Sequence, residues 1–242
     1  MSTNVGVNWA RNYEYTAAQL VRPTTIGEVQ DLVAAADRLR ALGSRHSFTD
    51  LADSSGTLLS LDALDTPIDI DEQNGTVTVG GGVLYGDLAT VLQDAGWALH
   101  NLASLPHISI AGAVATGTHG SGSANGSLSS AVRAIDLIGA DGEIVTVAHG
   151  DGDFAGSVVA LGALGIAARV TLAVEPTYRV RQDVYADLDW STALADFDAV
   201  SGCGYSVSLF TRWLGDTVPR VDRKSTRLNS SHCGTSRMPS SA

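Results

Sequence analysis

The segment Ala111-Gly-Ala-Val-Ala-Thr-Gly-Thr-His-Gly-Ser-Gly122 has small residues at nearly every position. Its backbone is unobstructed, so its N–H groups and the Thr116, Thr118 and Ser121 hydroxyls can converge on a diphosphate. A flexible linker has a similar composition. Here, however, Val114, Thr116 and His119 are interleaved among the glycines and apolar segments flank both ends, which favours an ordered loop. Gly43-Ser-Arg-His-Ser-Phe48 is a second tight polar loop, with a histidine inside it. Gly80-Gly-Gly82 lies between a strand and a helix, where a dinucleotide fingerprint would sit, but the third glycine of G-x-G-x-x-G would fall on Tyr85. The chain has no Gly-Lys pair of the phosphate-loop kind either, so both common nucleotide fingerprints fail, and three glycines there are as readily a tight turn.

Other chemistries find less support. Ser104, His107 and His119 with scattered aspartates could be read as a hydrolase triad, but no G-x-S-x-G elbow is present. His46, His100, His107, His119 and His149 lack zinc-type spacing, so no metal site is expected. Net charge is −11 and no run of Lys and Arg forms a basic stripe, which argues against nucleic acid as a partner. The two cysteines, Cys203 and Cys233, make no disulfide framework and favour a reducing compartment. The polar start Met1-Ser2-Thr3-Asn4 is unlike a secretory signal, and the best apolar stretch, Val158 to Val170, is too short and too broken to span a bilayer. A cytoplasmic protein with no membrane partner is expected.

These residues need a scaffold to position them, and 44% hydrophobic content suffices for a sizeable core. Thr25-Ile-Gly-Glu28 is a capping box, and the apolar spacing behind it predicts a helix to about Arg38. Leu39 to Leu42 reads as a short strand that delivers the Gly43 loop, and Thr57 to Leu61 as another. Asn74-Gly75 and Asp141-Gly142 are hairpin turns between alternating segments. Gly80-Gly-Gly82 leads into a helix containing Leu84, Leu88, Val91 and Leu92 that Gly96 should end. A short helix is expected over Asp153 to Val159 and a strand over Ile166 to Val174. Mixed elements with two hairpins argue for an α+β arrangement over a purely parallel sheet. From Tyr178 the pattern starts afresh: a strand to Tyr185, a helix near Ser191 to Val200 and a strand near Tyr205 to Phe210. From Asp222 apolar periodicity vanishes. Residues 222–242 resemble the translation of a sequencing-library adapter, and a natural Ser-rich tail is the alternative.

Taken together and in this order, Gly43-Ser-Arg-His-Ser-Phe48, Gly80-Gly-Gly82, Asn101-Leu-Ala-Ser-Leu-Pro-His-Ile-Ser109, the Ala111 to Gly122 segment and Leu161-Gly-Ala-Leu-Gly-Ile166 resemble the vanillyl-alcohol-oxidase type of flavoprotein. The likeness runs from about Asn8 to about Phe210, and within the family it is strongest to the bacterial alditol (xylitol) oxidases. It implies a two-subdomain FAD-binding (PCMH-type) domain over residues 1–177, the truncated start of a substrate domain over 178–221, and a non-native tail over 222–242. It further implies FAD attached covalently through His46, with Gly43, Ser44, Arg45 and Ser47 around the diphosphate and Ala41 and Leu42 also among the cofactor-binding residues. Ser109, Gly112, Ala115, Thr116 and His119 would be further flavin contacts, the Ile166 backbone would meet the adenine end, and Ser104 would touch a substrate hydroxyl near the ring.

Enzymes of this kind oxidise a terminal polyol hydroxyl and pass the electrons to O2, giving hydrogen peroxide. Their catalytic base comes from the substrate domain, so the chain as given is expected to bind flavin without turning over. A small-molecule polyol or sugar lactone and O2 are the expected partners, and the state a monomer. Three readings stay open: an alditol oxidase, a sugar-1,4-lactone oxidase of the aldonolactone type, and a flavin-binding module without catalysis.

Overall fold

The computed structural model describes residues 5–226. They fall into two compact units, one formed by the chain up to His119 with Ser127–Glu175, the other by Gly120–Gly126 with the chain from Pro176 onward.

The first unit is built on a three-stranded and a five-stranded sheet. The smaller contains β1 (Gln19–Val21), β2 (Leu39–Ala41) and β3 (Thr57–Leu59), parallel and in the order β1-β3-β2. Between its first two strands runs α1 (Ile26–Ala35), which begins as the sequence requires. The Thr25 hydroxyl accepts from the Glu28 N–H at 3.2 Å, and the Glu28 carboxylate accepts from the Thr25 N–H at 3.3 Å. The helix stops at Ala35, short of the expected Arg38, because Ala36 already turns extended to feed β2. Its buried Val29 and Val33 pack with Leu59, Leu61, Ile138, Ile166 and Ala168, so one helix joins residues of both sheets in one core.

The larger sheet is five-stranded and antiparallel throughout. Along the chain come β4 (Asp69–Asp71), β5 (Thr76–Gly80), α2 (Tyr85–Asp94), the two-residue β6 (Trp97–Ala98), α3 (Ile110–Ala115), β7 (Val132–Ile138), β8 (Ile144–Ala148), α4 (Phe154–Val158), β9 (Ile166–Ala173) and the two-residue β10 (Glu175–Pro176). The sheet order is β4-β5-β9-β7-β8. Both expected hairpins form: Gly75 at φ 60° and Gly142 at φ 80° take the left-handed conformation their turns need. The last long strand, β9, enters the middle of the sheet. Its Ile166, Ala168, Val170 and Leu172 are buried in alternation, as one face of a central strand must be.

The small-residue segment is half helix, where a loop was expected. Alanine is the best helix former and α3 buries Ile110, Ala113 and Val114 against the core, so a helical turn gains both propensity and packing.

The second unit is built on β11 (Val180–Asp189), β12 (Ser206–Phe210) and β13 (Thr217–Thr226), antiparallel in the order β11-β13-β12. The helix expected near Ser191 to Val200 is two, α5 (Trp190–Ala195) and α6 (Phe197–Gly202), broken where Asp196 leaves the helical region. Leu188, Ala193, Val200, Val218 and Val221 form its core. Strand β13 runs through the boundary expected at Asp222. Asp222 accepts from Gln182 and Arg220, and Arg223 pairs with Asp183 at 2.8 Å. A ladder is made by main-chain groups and tolerates a polar sequence wherever its charges find partners, so loss of apolar periodicity did not mark the end of the strand. The rest of the expected tail, 227–242 with Cys233, lies outside the described residues.

Candidate functional site

Ala41 ends β2, and the Leu42 N–H donates to the Leu59 carbonyl at 2.8 Å, which fixes where the Gly43 loop departs. Beyond that point the backbone N–H groups of Ser44, Arg45, His46 and Ser47 make no hydrogen bond within the described residues. Arg45 takes φ 66°, which bends the loop so that successive N–H groups can form an anion-binding concavity. The Arg45 guanidinium is committed elsewhere: it donates to the Val5 carbonyl at 2.8 Å and lies 5.3 Å from the centre of the Tyr15 ring. Its main chain is what remains for a diphosphate.

His46 is the unusual member of this loop. Its Nε2 is buried and has no hydrogen-bond partner, and its ring centre is 5.2 Å from Trp9 and 4.8 Å from His107. Burial holds the imidazole below the usual histidine value and the neighbouring His107 pushes it the same way, so the ring is neutral at neutral pH. A neutral ring nitrogen with no partner is a free lone pair, or an N–H in want of an acceptor.

The segments that lie far apart in sequence meet at Ser109. Its N–H donates to the Ser44 hydroxyl at 3.1 Å. A Cβ on Gly43 would stand 2.6 Å from the Ser109 Oγ, and one on Gly112 would stand 2.8 Å from it. The second glycine cluster braces this junction. Gly81 donates to the Ala168 carbonyl at 2.9 Å and accepts from Ala111 at 3.0 Å, while Ile110 donates to the Val83 carbonyl at 2.9 Å. A side chain on Gly81 would overlap the Ala167 carbonyl and one on Gly82 the Leu61 carbonyl. Gly80-Gly-Gly82 is therefore a packing turn that seats the start of α3.

The remaining expected residues are placed less directly. Thr116 is exposed, with its hydroxyl donating to the Gly112 carbonyl at 2.9 Å and sharing a 3.0 Å contact with Thr118. The Ala115 carbonyl accepts from the Leu161 N–H at 3.0 Å, which draws the Leu161–Gly165 loop to the end of α3. Ile166 follows that loop as the first residue of β9, with its side chain buried beneath α1 and its main chain paired with Ile138 of β7. His119 is exposed and bridges to Ser127. Ser104 is exposed on a segment held to the start of α2 by Gly86 N–H to Pro106 carbonyl, 2.7 Å, and Tyr85 N–H to Ile108 carbonyl, 3.0 Å. That segment reaches the group through His107, whose ring meets His46. Sequence reasoning overlooked Trp9 and its neighbours Asn8 and Asn12; two amide side chains flanking an aromatic near the N-terminus were the available signal.

Comparison with known proteins gives this arrangement a family. A model described as an FAD binding domain matches residues 17–148. The chain is 49% identical over 216 residues to an alditol oxidase of a Streptomyces species, covering 88% of this chain and 51% of that protein. It is 36% identical over 179 residues to an L-gulono-1,4-lactone dehydrogenase of Mycobacterium tuberculosis, covering 72% and 42%. Among solved structures, cholesterol oxidase from Brevibacterium sterolicum superposes with a TM-score of 0.80 at 20% identity, covering 91% of this chain and 47% of that one, a likeness of fold. The chain belongs to the FAD-binding domain family of the vanillyl-alcohol-oxidase (PCMH) type. It spans about half the length of the curated relatives it matches. The residues present fit such a cofactor: a row of unengaged N–H groups suits its diphosphate, and beside that row lies a buried imidazole nitrogen with no partner. No helix among the described residues is long and apolar enough to cross a membrane.

Proposed function

We propose that in the whole protein residues 1–177 hold FAD for oxidation of the terminal hydroxyl of a polyol such as xylitol or sorbitol to the aldose, with O2 reduced to H2O2, and that residues 178–221 begin the polyol-binding domain. Flavin, when bound, accepts a hydride from carbon and passes the electrons to dioxygen. The residues of this chain bind and orient it. Backbone N–H groups of Ser44 to Ser47 offset the diphosphate charge, Ser109 ties their loop to α3, and Ser104 meets a substrate hydroxyl. His46 is the point of covalent attachment, since a neutral imidazole is a competent nucleophile where an imidazolium is not. The observation that carries the reading is the buried, unpartnered His46 Nε2 beside the open N–H row. The 49% identity to an alditol oxidase favours a polyol over a lactone, and the 36% identity to a lactone dehydrogenase keeps the lactone as the second reading.

The test is peroxide release by the full-length protein under O2 with xylitol, sorbitol and sugar-1,4-lactones in turn. Turnover with polyols is expected. Turnover with lactones alone replaces the substrate, and bound FAD without any turnover leaves a binding module. After acid precipitation the parent should keep its yellow colour and His46→Ala should release it; colour retained by the variant moves the attachment to another residue.

A further inference from the structure

Where the N–H side of the Gly43 loop is open, three of its carbonyls, those of Arg45, Ser47 and Phe48, are engaged. The Trp9 backbone N–H donates to the Arg45 carbonyl at 2.9 Å, Asn8 Nδ2 donates to the Ser47 carbonyl at 2.9 Å, and Asn12 Nδ2 donates to the Phe48 carbonyl at 3.1 Å. All three donors lie on one short hairpin near the N-terminus. It closes through Asn8 N–H to the Tyr13 carbonyl, 2.9 Å, and Tyr15 N–H to the Gly6 carbonyl, 3.0 Å, around a turn in which Arg11 takes φ 59°. Asn8 is 2% exposed, and its Oδ1 accepts the N–H groups of Asn12 and Tyr13 from within the hairpin. Asp53 anchors the far end by accepting from the Tyr13 hydroxyl at 2.8 Å and from the Thr16 N–H at 2.8 Å.

A trans peptide is planar, with its C=O and the following N–H pointing in opposite directions. Fixing the Arg45 carbonyl toward the hairpin therefore aims the His46 N–H the other way, and fixing the Ser47 carbonyl does the same for the Phe48 N–H. Neither N–H has a partner within the described residues. Trp9, from the same hairpin, lays its ring beside His46.

We propose that the Val5–Thr16 hairpin is a positioning strap: Asn8 and Asn12 hold the carbonyl face of the Gly43–Phe48 loop so that its N–H face is preset for a diphosphate. The inference rests on the flavin reading above and assigns the strap no part in the chemical step. Its value is pre-organisation. Without it the loop must give up conformational freedom when the cofactor binds, and affinity falls even though every group that touches the cofactor is still there.

The experiment uses the full-length protein carrying His46→Ala, so that binding is reversible, and measures the Kd for FAD and for riboflavin, which lacks the phosphates, by flavin fluorescence. Adding Asn8→Ala should weaken FAD about tenfold, the scale of removing one or two hydrogen bonds, while riboflavin changes less than about twofold. Asn12→Ala, at an exposed position and less prone to disturb folding, should give a smaller loss with the same preference. Ile70→Ala, a partly buried change on edge strand β4, should lower Tm and leave both Kd values alone. FAD binding unchanged in both asparagine variants overturns the strap. Equal losses for FAD and riboflavin overturn its link to phosphate. A His46→Ala parent that binds neither flavin sinks the flavin reading itself, which is a distinct result.

Discussion

Gly81→Ala is the sharpest test of how the site is braced, because the change is one methyl group in a place where nothing soft can yield. The added Cβ would overlap the Ala167 carbonyl oxygen and stand 3.0 Å from the Ala111 Cβ and 3.2 Å from Leu61 Cδ1. The closest obstacle is the main chain of central strand β9, so relief requires moving Gly81 away from the sheet. That movement stretches the 2.9 Å bond to the Ala168 carbonyl or the 3.0 Å bond from Ala111. Overpacking of this kind costs ~1–3 kcal/mol, and a backbone hydrogen bond adds ~1 kcal/mol net. A loss of about 3 kcal/mol is expected, a large share of the ~5–15 kcal/mol that holds a domain together. Urea unfolding followed by tryptophan fluorescence would read it as a lower midpoint with unchanged slope. Because Ala111 hangs from Gly81 and Ser109 meets Ser44, FAD binding should weaken too. Gly27→Ala, on α1 with no atom near the new methyl, is the control and should stabilise by about 0.5 kcal/mol. A Gly81→Ala protein within about 1 kcal/mol of the parent would refute the account of Gly80-Gly-Gly82 as a steric brace.

Two further outcomes follow from the same structure. His46 and His100 are both held below the usual histidine value of 6.5, each chiefly by burial, so the folded chain binds fewer protons than the unfolded one below that pH. Their contribution is therefore complete above about pH 6.5 and is lost as pH falls toward the folded values; His46→Gln should lose less stability than the parent between about pH 7.5 and about pH 5 in urea titrations, and equal losses would contradict it. Ending the chain after Val221 removes the β13 partners of Val180 to Val184, together with the Asp222 and Arg223 ion pairs, so limited proteolysis should attack the second unit first and leave the first intact. Cleavage no faster than in a chain ending at Thr226 would show that those pairings contribute nothing.

Much of the fold was legible because it is written in local signals. The Thr25/Glu28 capping box, the Asn74-Gly75 and Asp141-Gly142 turns and the alternation of β5 and β9 each act over a few residues, where geometry follows from residue type. Where the reading slipped, a longer-range term decided. Ile110–Ala115 became helix because a core was waiting for Ile110 and Val114, β1 forms only because β3 lies beside it, and β13 continues past Val221 because Asp183 and Gln182 pair with its polar residues.

By itself the sequence determined the Gly43–Phe48 turn after β2, since small residues around a histidine behind a short apolar run are a property of composition and spacing. It also determined the α+β class, from periods of two and of three to four that each segment carries alone. Only the tertiary structure decided that Ser44 meets Ser109, that Arg45 turns its charge to Val5 and Tyr15, and that Asn8, Trp9 and Asn12 close on the loop around His46. Those pairings join residues tens of positions apart, and no local pattern encodes them, because which distant groups meet depends on the packing of every element between them.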